Sequence, residues 1–258
     1  MSASPEILRS DKDGLCVLTL NRPHKLNSLT VSLFEALLLQ LEEIAISTAT
    51  IGCVVLRAAG RCFSAGHDLA DLEAGETAPE PQFQAHVIEK LQNLPMPVIA
   101  AVHSHCYTGA LELALGADLI VATQNARFAD THAKWSLTPI WGLSQRLPRR
   151  VGIAKAREMM FTCRTYTAAE AERMGLVNLV VPDDSLDAEV EKMARMILEQ
   201  SWFSHRALKK LLRETDGMPI GAGLAHEIYY GAGFGPDFQS RINAFLSKKN
   251  NAPGISTV

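Results

Sequence analysis

Short apolar segments alternate with longer helical patterns along the first two thirds of the chain, and this alternation constrains the fold more than any other feature. Residues 31–46 carry apolar side chains at helical spacing, which predicts a helix with Thr30 as its N-cap. Four segments are rich in β-branched residues and flanked by turn residues, and we predict strands there: residues 15–20, 51–56, 97–102 and 118–122. This order of elements is typical of a layered α/β protein.

The strand patterns stop at Pro182. Three helical patterns follow, at residues 186–198, 203–212 and 241–248. We therefore expect an α/β core over residues 1–182 and a helical C-terminal region over residues 183–258.

Charge and cysteine content indicate which partners, disulfides and metal sites are not expected. The formal net charge of the 258 residues is -3, which provides no broad basic field, so no nucleic-acid or anionic-membrane partner is expected. The five cysteines are widely spaced without a C-x-x-C pair, which argues against a disulfide framework and a cysteine-rich zinc site. With no apolar run near the ~20 residues of a membrane span and no leader pattern, we expect a cytoplasmic protein.

Two glycine-containing turns are the first candidate functional segments in the sequence. Residues 61–69 follow a predicted strand and lead into Asp68, a good helix starter, and residues 102–112 run from a strand into a helix. Each turn can direct a backbone N–H outward at the positive end of a helix. Two such donors converging on one oxygen would form an oxyanion hole. A glycine at such a turn can also serve the backbone alone.

Glu112 lies three residues after Gly109, so both occupy one face of the predicted helix. Its carboxylate could reach water or a reacting carbon of a bound substrate. It could equally be a first-turn acid that complements the helix dipole. The residues alone leave both roles open.

Several segments, taken in order, resemble the enoyl-CoA hydratase/isomerase (crotonase) superfamily along almost the whole chain. They are residues 20–29 (LNRPHKLNSL), 63–69 (FSAGHDL), 97–112 (PVIAAVHSHCYTGALE), 145–147 (QRL), 168–177 (AAEAERMGLV) and 244–246 (AFL). The resemblance implies a crotonase-like ββα spiral core with a C-terminal helical annex. It also implies that residues 183–258 form a trimerisation and cover region, giving a homotrimer or a dimer of trimers.

The same resemblance implies an acyl-CoA substrate and no separate cofactor. The backbone N–H groups of His67 and Gly109 would bind the thioester oxygen, and Glu112 falls on the first of two glutamates that hydratases use. The residues implied at the nucleotide end of CoA are Lys25, Leu26, Ala65, Asp68 and Leu69.

The second hydratase glutamate corresponds to His132, so the chain departs from the family pattern there. An imidazole can exchange a proton at neutral pH, which keeps a proton-transfer role open beside a purely structural one. Trp135 and Trp141 could line an acyl pocket for a bulky group, or belong to the core.

His103 and His105 face the same way on a strand, a spacing compatible with metal ligation. No further ligand is tied to them by the sequence. We therefore prefer a structural role for both and expect no metal.

The leading interpretation is an enoyl-CoA hydratase-like hydro-lyase that stabilises a thioester enolate. Two alternatives remain within enzymes, a double-bond isomerase and an acyl-CoA decarboxylase, because His67 resembles a residue of the decarboxylase oxyanion loop. A third is an acyl-CoA-binding protein without turnover, which the change at His132 would allow.

Overall fold

The computed structural model describes residues 4–250, apart from the side chains of Leu69 and of residues 248–250. Six strands form the main sheet in the order β1-β2-β3-β4-β6-β9, with β1 antiparallel to β2 and all other neighbours parallel. These strands are β1 (Ile7–Lys12), β2 (Leu15–Leu20), β3 (Cys53–Ala58), β4 (Val98–Val102), β6 (Leu119–Thr123) and β9 (Leu179–Val181).

Three very short strands form a second sheet, β5 (His105–Tyr107), β7 (Arg127–Ala129) and β8 (Tyr166–Thr167). Single bridges between Ser64 and Cys106, and between Leu29 and His67, continue this layer toward the N-terminal segments. A strand of the main sheet, a short pairing in the second sheet and then a helix make one turn, seen most clearly in β4, β5 and the helix at Gly109–Ala114. The predicted ββα spiral is confirmed.

The helices are α1 (Val31–Ile46), α2 (Leu69–Glu73), α3 (Phe83–Gln92), α4 (Gly109–Ala114), α5 (Leu143–Val151), α6 (Ile153–Thr162), α7 (Ala168–Arg173), α8 (Leu186–Leu198), α9 (Trp202–Glu214), α10 (Ile220–Tyr230) and α11 (Phe238–Asn250). α1 has the predicted bounds, and the Thr30 hydroxyl accepts a hydrogen bond from the Leu33 N–H at 3.2 Å, as an N-cap does.

Both faces of the main sheet are covered, which explains its nearly continuous apolar strands. In β3, Val54 and Leu56 contribute to the larger core, whereas Val55 and Cys53 face a smaller core on the other side. This alternation follows from the two-residue period of a strand. No described helix is long and apolar enough to cross a membrane.

α8 determines where the α/β part ends. Its residues Leu186, Val190 and Ala194 recur on one face and are buried in the smaller core. The first compact unit therefore extends to Leu198, beyond the boundary expected at residue 182, because α8 is needed to cover the sheet. The second unit begins at Glu199 and contains α9, α10 and α11.

Candidate active site

A cavity of about 620 Å³ lies in the first unit where the two glycine turns meet. Nine of the residues singled out from the sequence line it: Lys25, Ala65, His67, Asp68, Gly109, Glu112, His132, Trp135 and Trp141. Leu26 does not line the cavity, and its carbonyl instead accepts the Ala65 N–H at 3.1 Å. The side chain of Leu69 lies outside the described residues.

The two turns approach each other so closely that only glycine fits at Gly66. Its φ is +102°, and a Cβ built there would lie 2.7 Å from the Tyr107 carbonyl oxygen and 3.7 Å from the Gly109 nitrogen. The pairing with Leu29 uses the Gly66 carbonyl and the Asp68 N–H, which leaves the His67 N–H on the opposite side. Among the described residues, neither the His67 N–H nor the Gly109 N–H has a protein acceptor. Two free donors therefore border one cavity.

Thr108, directly before Gly109, holds a backbone conformation that β-branched residues rarely adopt, with φ 51° and ψ -108°. Its N–H donates to the Ala129 carbonyl at 2.8 Å. Its hydroxyl lies 2.5 Å from the Thr131 hydroxyl and accepts the Thr131 N–H at 3.1 Å. These bonds to the neighbouring strand end maintain the strained turn, and they tie the segment around Thr131 to the Gly109 turn.

Glu112 is 1% exposed and sits in the first turn of α4. Its Oε1 accepts two backbone hydrogen bonds of 3.1 Å, from the Trp141 and Leu143 N–H groups. Gly142 lies between these donors with φ +105°, which lets both point at the same oxygen. Burial raises the pKa of Glu112 to about 6, although nearby His132 and the two N–H groups oppose that rise. The carboxylate can therefore take and release a proton near neutral pH.

His132 stands between two buried carboxylates. Its Nδ1 lies 2.6 Å from Asp130 Oδ1, and its backbone N–H donates to the same oxygen at 3.2 Å. Its Nε2 faces Glu112 Oε2 at 3.7 Å, a contact longer than a hydrogen bond. The sequence predicted His132 at the site but missed Asp130 as its partner. The Asp-x-His spacing, in which a side chain bonds the backbone two residues on, was the available signal.

The His67 side chain contacts Glu76, which follows α2 in the chain. Its Nε2 lies 2.7 Å from Glu76 Oε2, and its ring packs on Trp141 with centroids 4.8 Å apart. Glu76 Oε1 accepts the Val31 N–H at 2.7 Å, and Gln84 donates to Oε2 at 3.3 Å. Glu76 thus joins the His67 turn to the start of α1. Sequence reasoning missed it, because the Pro- and Gly-rich segment around it has no periodicity.

The remaining predicted contacts divide between binding and structure. Asp68 caps α2 by accepting the Ala70 N–H at 3.1 Å, and the Ser28 hydroxyl donates to it at 2.7 Å. The Ser28 hydrogen bond is the main cause of its lowered pKa, so Asp68 is an ionised structural group. Lys25 lines the cavity, and within the described residues its ammonium forms no ion pair.

The two tryptophans have different surroundings. Trp141 is 4% exposed, and its ring packs edge-on against Phe34 at 5.2 Å. A Cβ at Gly109 would lie 2.5 Å from the Trp141 ring, so glycine is required beneath it. Trp135 is 50% exposed at the cavity mouth. Trp141 is both a core residue and a wall, whereas Trp135 is free to contact a ligand.

His103 and His105 each contact a nearby oxygen atom. His103 Nε2 lies 2.9 Å from the Gly60 carbonyl, and His105 Nδ1 lies 2.7 Å from the Ser104 hydroxyl. Within residues 4–250, no group of three histidine, cysteine, aspartate or glutamate side chains is arranged to hold a metal ion. The structure assigns local hydrogen bonds to both histidines.

Comparisons with known proteins place this fold and cavity in one family. The family model described as enoyl-CoA hydratase/isomerase matches residues 10–249. Two Escherichia coli proteins align with 95% of this chain over 96% of their own length: 2,3-dehydroadipyl-CoA hydratase at 34% identity and 1,2-epoxyphenylacetyl-CoA isomerase at 31%.

A solved structure of enoyl-CoA hydratase from Bacillus anthracis superposes with a TM-score of 0.88 at 30% identity, covering 94% of this chain and 96% of that one. The ββα spiral and the similarity along nearly the whole chain thus define the class of protein. The chain belongs to the enoyl-CoA hydratase/isomerase family, and it is an enzyme of that family.

Proposed function

We propose that this enzyme hydrates a 2-enoyl-CoA thioester, with Glu112 and His132 as its catalytic residues. The observation that carries the proposal is the buried Glu112 carboxylate, whose pKa is raised to about 6, facing His132 in a cavity bordered by two free N–H donors. The similarity to proteins named as enoyl-CoA hydratases supports it.

In the proposed reaction, the His67 and Gly109 N–H groups bind the thioester carbonyl oxygen. Glu112 takes a proton from water as the water oxygen bonds to the β-carbon, and the negative charge moves to the carbonyl oxygen. Fixed N–H donors stabilise that charge without reorganising. Glu112 passes that proton to His132 Nε2, and His132 delivers it to the α-carbon, so that one water has been added across the double bond and both residues return to their starting states.

The substrate is proposed to lie along the cavity between two groups of residues. Lys25 provides a cation for a CoA phosphate, with Ala65, Asp68 and Leu69 near the nucleotide end and Leu26 supporting Ala65 from outside the cavity. Trp141 and Trp135 would contact the acyl group. We propose that neither a metal nor a further cofactor takes part, because the oxyanion donors supply the electrophilic assistance.

The assembly and the location are proposed by resemblance to the family, as a homotrimer or dimer of trimers in the cytoplasm. The second unit supports the assembly, since it exposes large apolar side chains that water does not favour. Examples are Ile220 at 81%, Tyr229 at 80% and Phe234 at 81% exposure. Residues 183–258 would then cover a neighbouring subunit, with α8 also covering its own sheet.

Double-bond isomerisation is the second candidate, and one observation favours it. His132 Nε2 and Glu112 Oε2 are 3.7 Å apart. This pair can take a proton from one carbon of the substrate and return it to another carbon, which moves the double bond. A solved structure that matches at 33% identity with a TM-score of 0.75 is named as a monofunctional enoyl-CoA isomerase from M. smegmatis.

The two candidates separate in ¹⁸O-labelled water. We expect short, long or aromatic 2-enoyl-CoA substrates to give a 3-hydroxyacyl-CoA carrying ¹⁸O at the β-carbon, with turnover unchanged after treatment with a chelator. Migration of the double bond without ¹⁸O in any product would contradict hydration and support isomerisation. Release of CO₂ from a 2-carboxyacyl-CoA would indicate decarboxylation, and loss of turnover on chelation would contradict the metal-free mechanism.

A further inference from the structure

Among the described residues, the buried Asp130 carboxylate forms hydrogen bonds with His132 alone. It is 1% exposed, follows β7 directly and bonds the ring and the backbone of His132 through the same oxygen, Oδ1. Asp130 Oδ1 already accepts the His132 backbone N–H, so this oxygen acts as an acceptor, and the 2.6 Å contact requires the proton to be on His132 Nδ1. Nε2 is then the ring nitrogen that faces Glu112 and the cavity.

The residues on either side of Asp130 are hydrogen-bonded to the Gly109 turn. Thr131, the next residue, bonds the Thr108 hydroxyl through both its N–H and its own hydroxyl. Thr108 in turn bonds the Ala129 carbonyl, immediately before Asp130. These bonds connect the segment that carries His132 to the turn that carries the Gly109 N–H.

We propose that Asp130 is a positioning residue that holds His132 as the Nδ1–H tautomer and stabilises the positive charge that the ring acquires during proton transfer. This inference rests on the proposed function in one respect, namely that His132 exchanges a proton with the substrate. The geometry matches the general arrangement in which a buried carboxylate orients a catalytic imidazole.

Two substitutions separate the effect of Asp130 on the His132 tautomer from the effect of its negative charge. In Asp130→Asn, the amide oxygen is required at the Oδ1 position, because the His132 backbone N–H also needs an acceptor there. The Nδ1–H tautomer is therefore retained while the negative charge is lost. In Asp130→Ala, both the acceptor and the charge are lost, so the ring can rotate and take either tautomer.

The tautomer is measured by ¹⁵N NMR on histidine-labelled protein, with His132→Gln identifying the His132 signals. We expect Nδ1–H in the wild type and in Asp130→Asn, and a mixture of tautomers in Asp130→Ala. A wild-type ring protonated at Nε2 alone would overturn the proposal. This measurement needs no substrate, so failure of the hydration assay leaves it fully informative.

Kinetics on the acyl-CoA reaction found in the labelled-water assay complete the test. We expect Asp130→Ala to lower kcat by about 100-fold, the loss typical of removing an acid–base group, and Asp130→Asn to lower it by a smaller factor. KM should stay within about twofold, since the substrate contacts lie elsewhere. The double variant with Asp130→Ala and His132→Ala should have the same kcat as His132→Ala alone, because the two residues act as a unit.

The chain provides a matched control in Glu80, which lies 2.9 Å from His86 in an exposed pair outside the cavity. Glu80→Gln should leave kcat unchanged. Thermal unfolding of each variant shows whether it is folded, and the near-isosteric Asp130→Asn keeps the test valid if Asp130→Ala does not fold. A folded Asp130→Asn with full wild-type kcat would contradict the role of the charge, and a folded Asp130→Ala with full kcat would reject the positioning role.

Discussion

Glu112→Gln is expected to lower kcat by about 100-fold or more, because an amide cannot take the proton from water. The fold should remain intact, since the amide oxygen can still accept the Trp141 and Leu143 N–H groups. KM should change little, because the substituted group acts in proton transfer. Steady-state kinetics on the substrate identified by the assay would check this, and near-normal turnover would remove Glu112 from the mechanism.

The same variant has a predicted effect on stability. The pKa of Glu112 rises from its ordinary value of 4.5 to about 6 on folding. A raised acid pKa favours the folded state below pH 4.5, and this benefit is lost as the pH rises through 6. Above pH 6 the buried carboxylate costs about 2 kcal/mol relative to the unfolded chain.

Glutamine avoids this cost at every pH. The free energy of unfolding of Glu112→Gln, measured relative to the wild type in urea, should therefore increase by about 1 kcal/mol between pH 5 and pH 8. A Glu112→Asp control keeps the charge but shortens the side chain, so it should not share this trend. An advantage that shrinks as the pH rises would contradict the assigned ionisation.

His132→Ala is expected to lower kcat by about 100-fold or more, with the affinity for CoA nearly unchanged. The ring lines the cavity beside Glu112, whereas the proposed nucleotide contacts lie near Lys25. Binding of CoA measured by calorimetry, beside kcat, separates the two effects. Full turnover in His132→Ala with Glu112 still required would leave a one-carboxylate enzyme whose reaction need not be hydration.

Restoring the hydratase glutamate requires a change at Asp130 as well. His132→Glu alone would place a carboxylate beside the buried Asp130 and Glu112, and like charges at such distances oppose ionisation. We expect the combination of Asp130→Asn with His132→Glu to hydrate a short 2-enoyl-CoA faster than His132→Glu alone. Hydration faster than in the wild type would show that the native activity had diverged from that substrate.

The sequence predicted two long helices with their observed bounds, since each buries one apolar stripe, but it did not predict β1 or α10. The helix predicted at residues 186–198 has the observed bounds of α8, and α1 likewise matches. Strands such as β5 and β8, with three and two residues, are too short for any periodicity to reveal. The compact unit also continues past residue 182 because α8 covers the second face, which depends on packing and not on local pattern.

At the site, the sequence indicated residue types but not their partners. Glu112 and His132 were found through their place in the family pattern, and both line the cavity. The hydrogen bonds from Trp141 and Leu143 to Glu112 span 29 and 31 positions, and no local rule predicts them. Glu76 was missed because the segment around it has no periodicity, and its contact to Val31 also spans 45 positions.

The most direct test of the account is a crystal structure of the enzyme with an unreactive acyl-CoA analogue. We predict that the thioester oxygen lies within about 3.2 Å of both the His67 and Gly109 nitrogens, with Glu112 and His132 beside the carbons that follow the carbonyl. A thioester oxygen that contacts neither nitrogen, or N–H vectors that diverge from it, would contradict the oxyanion hole and with it the proposed reaction.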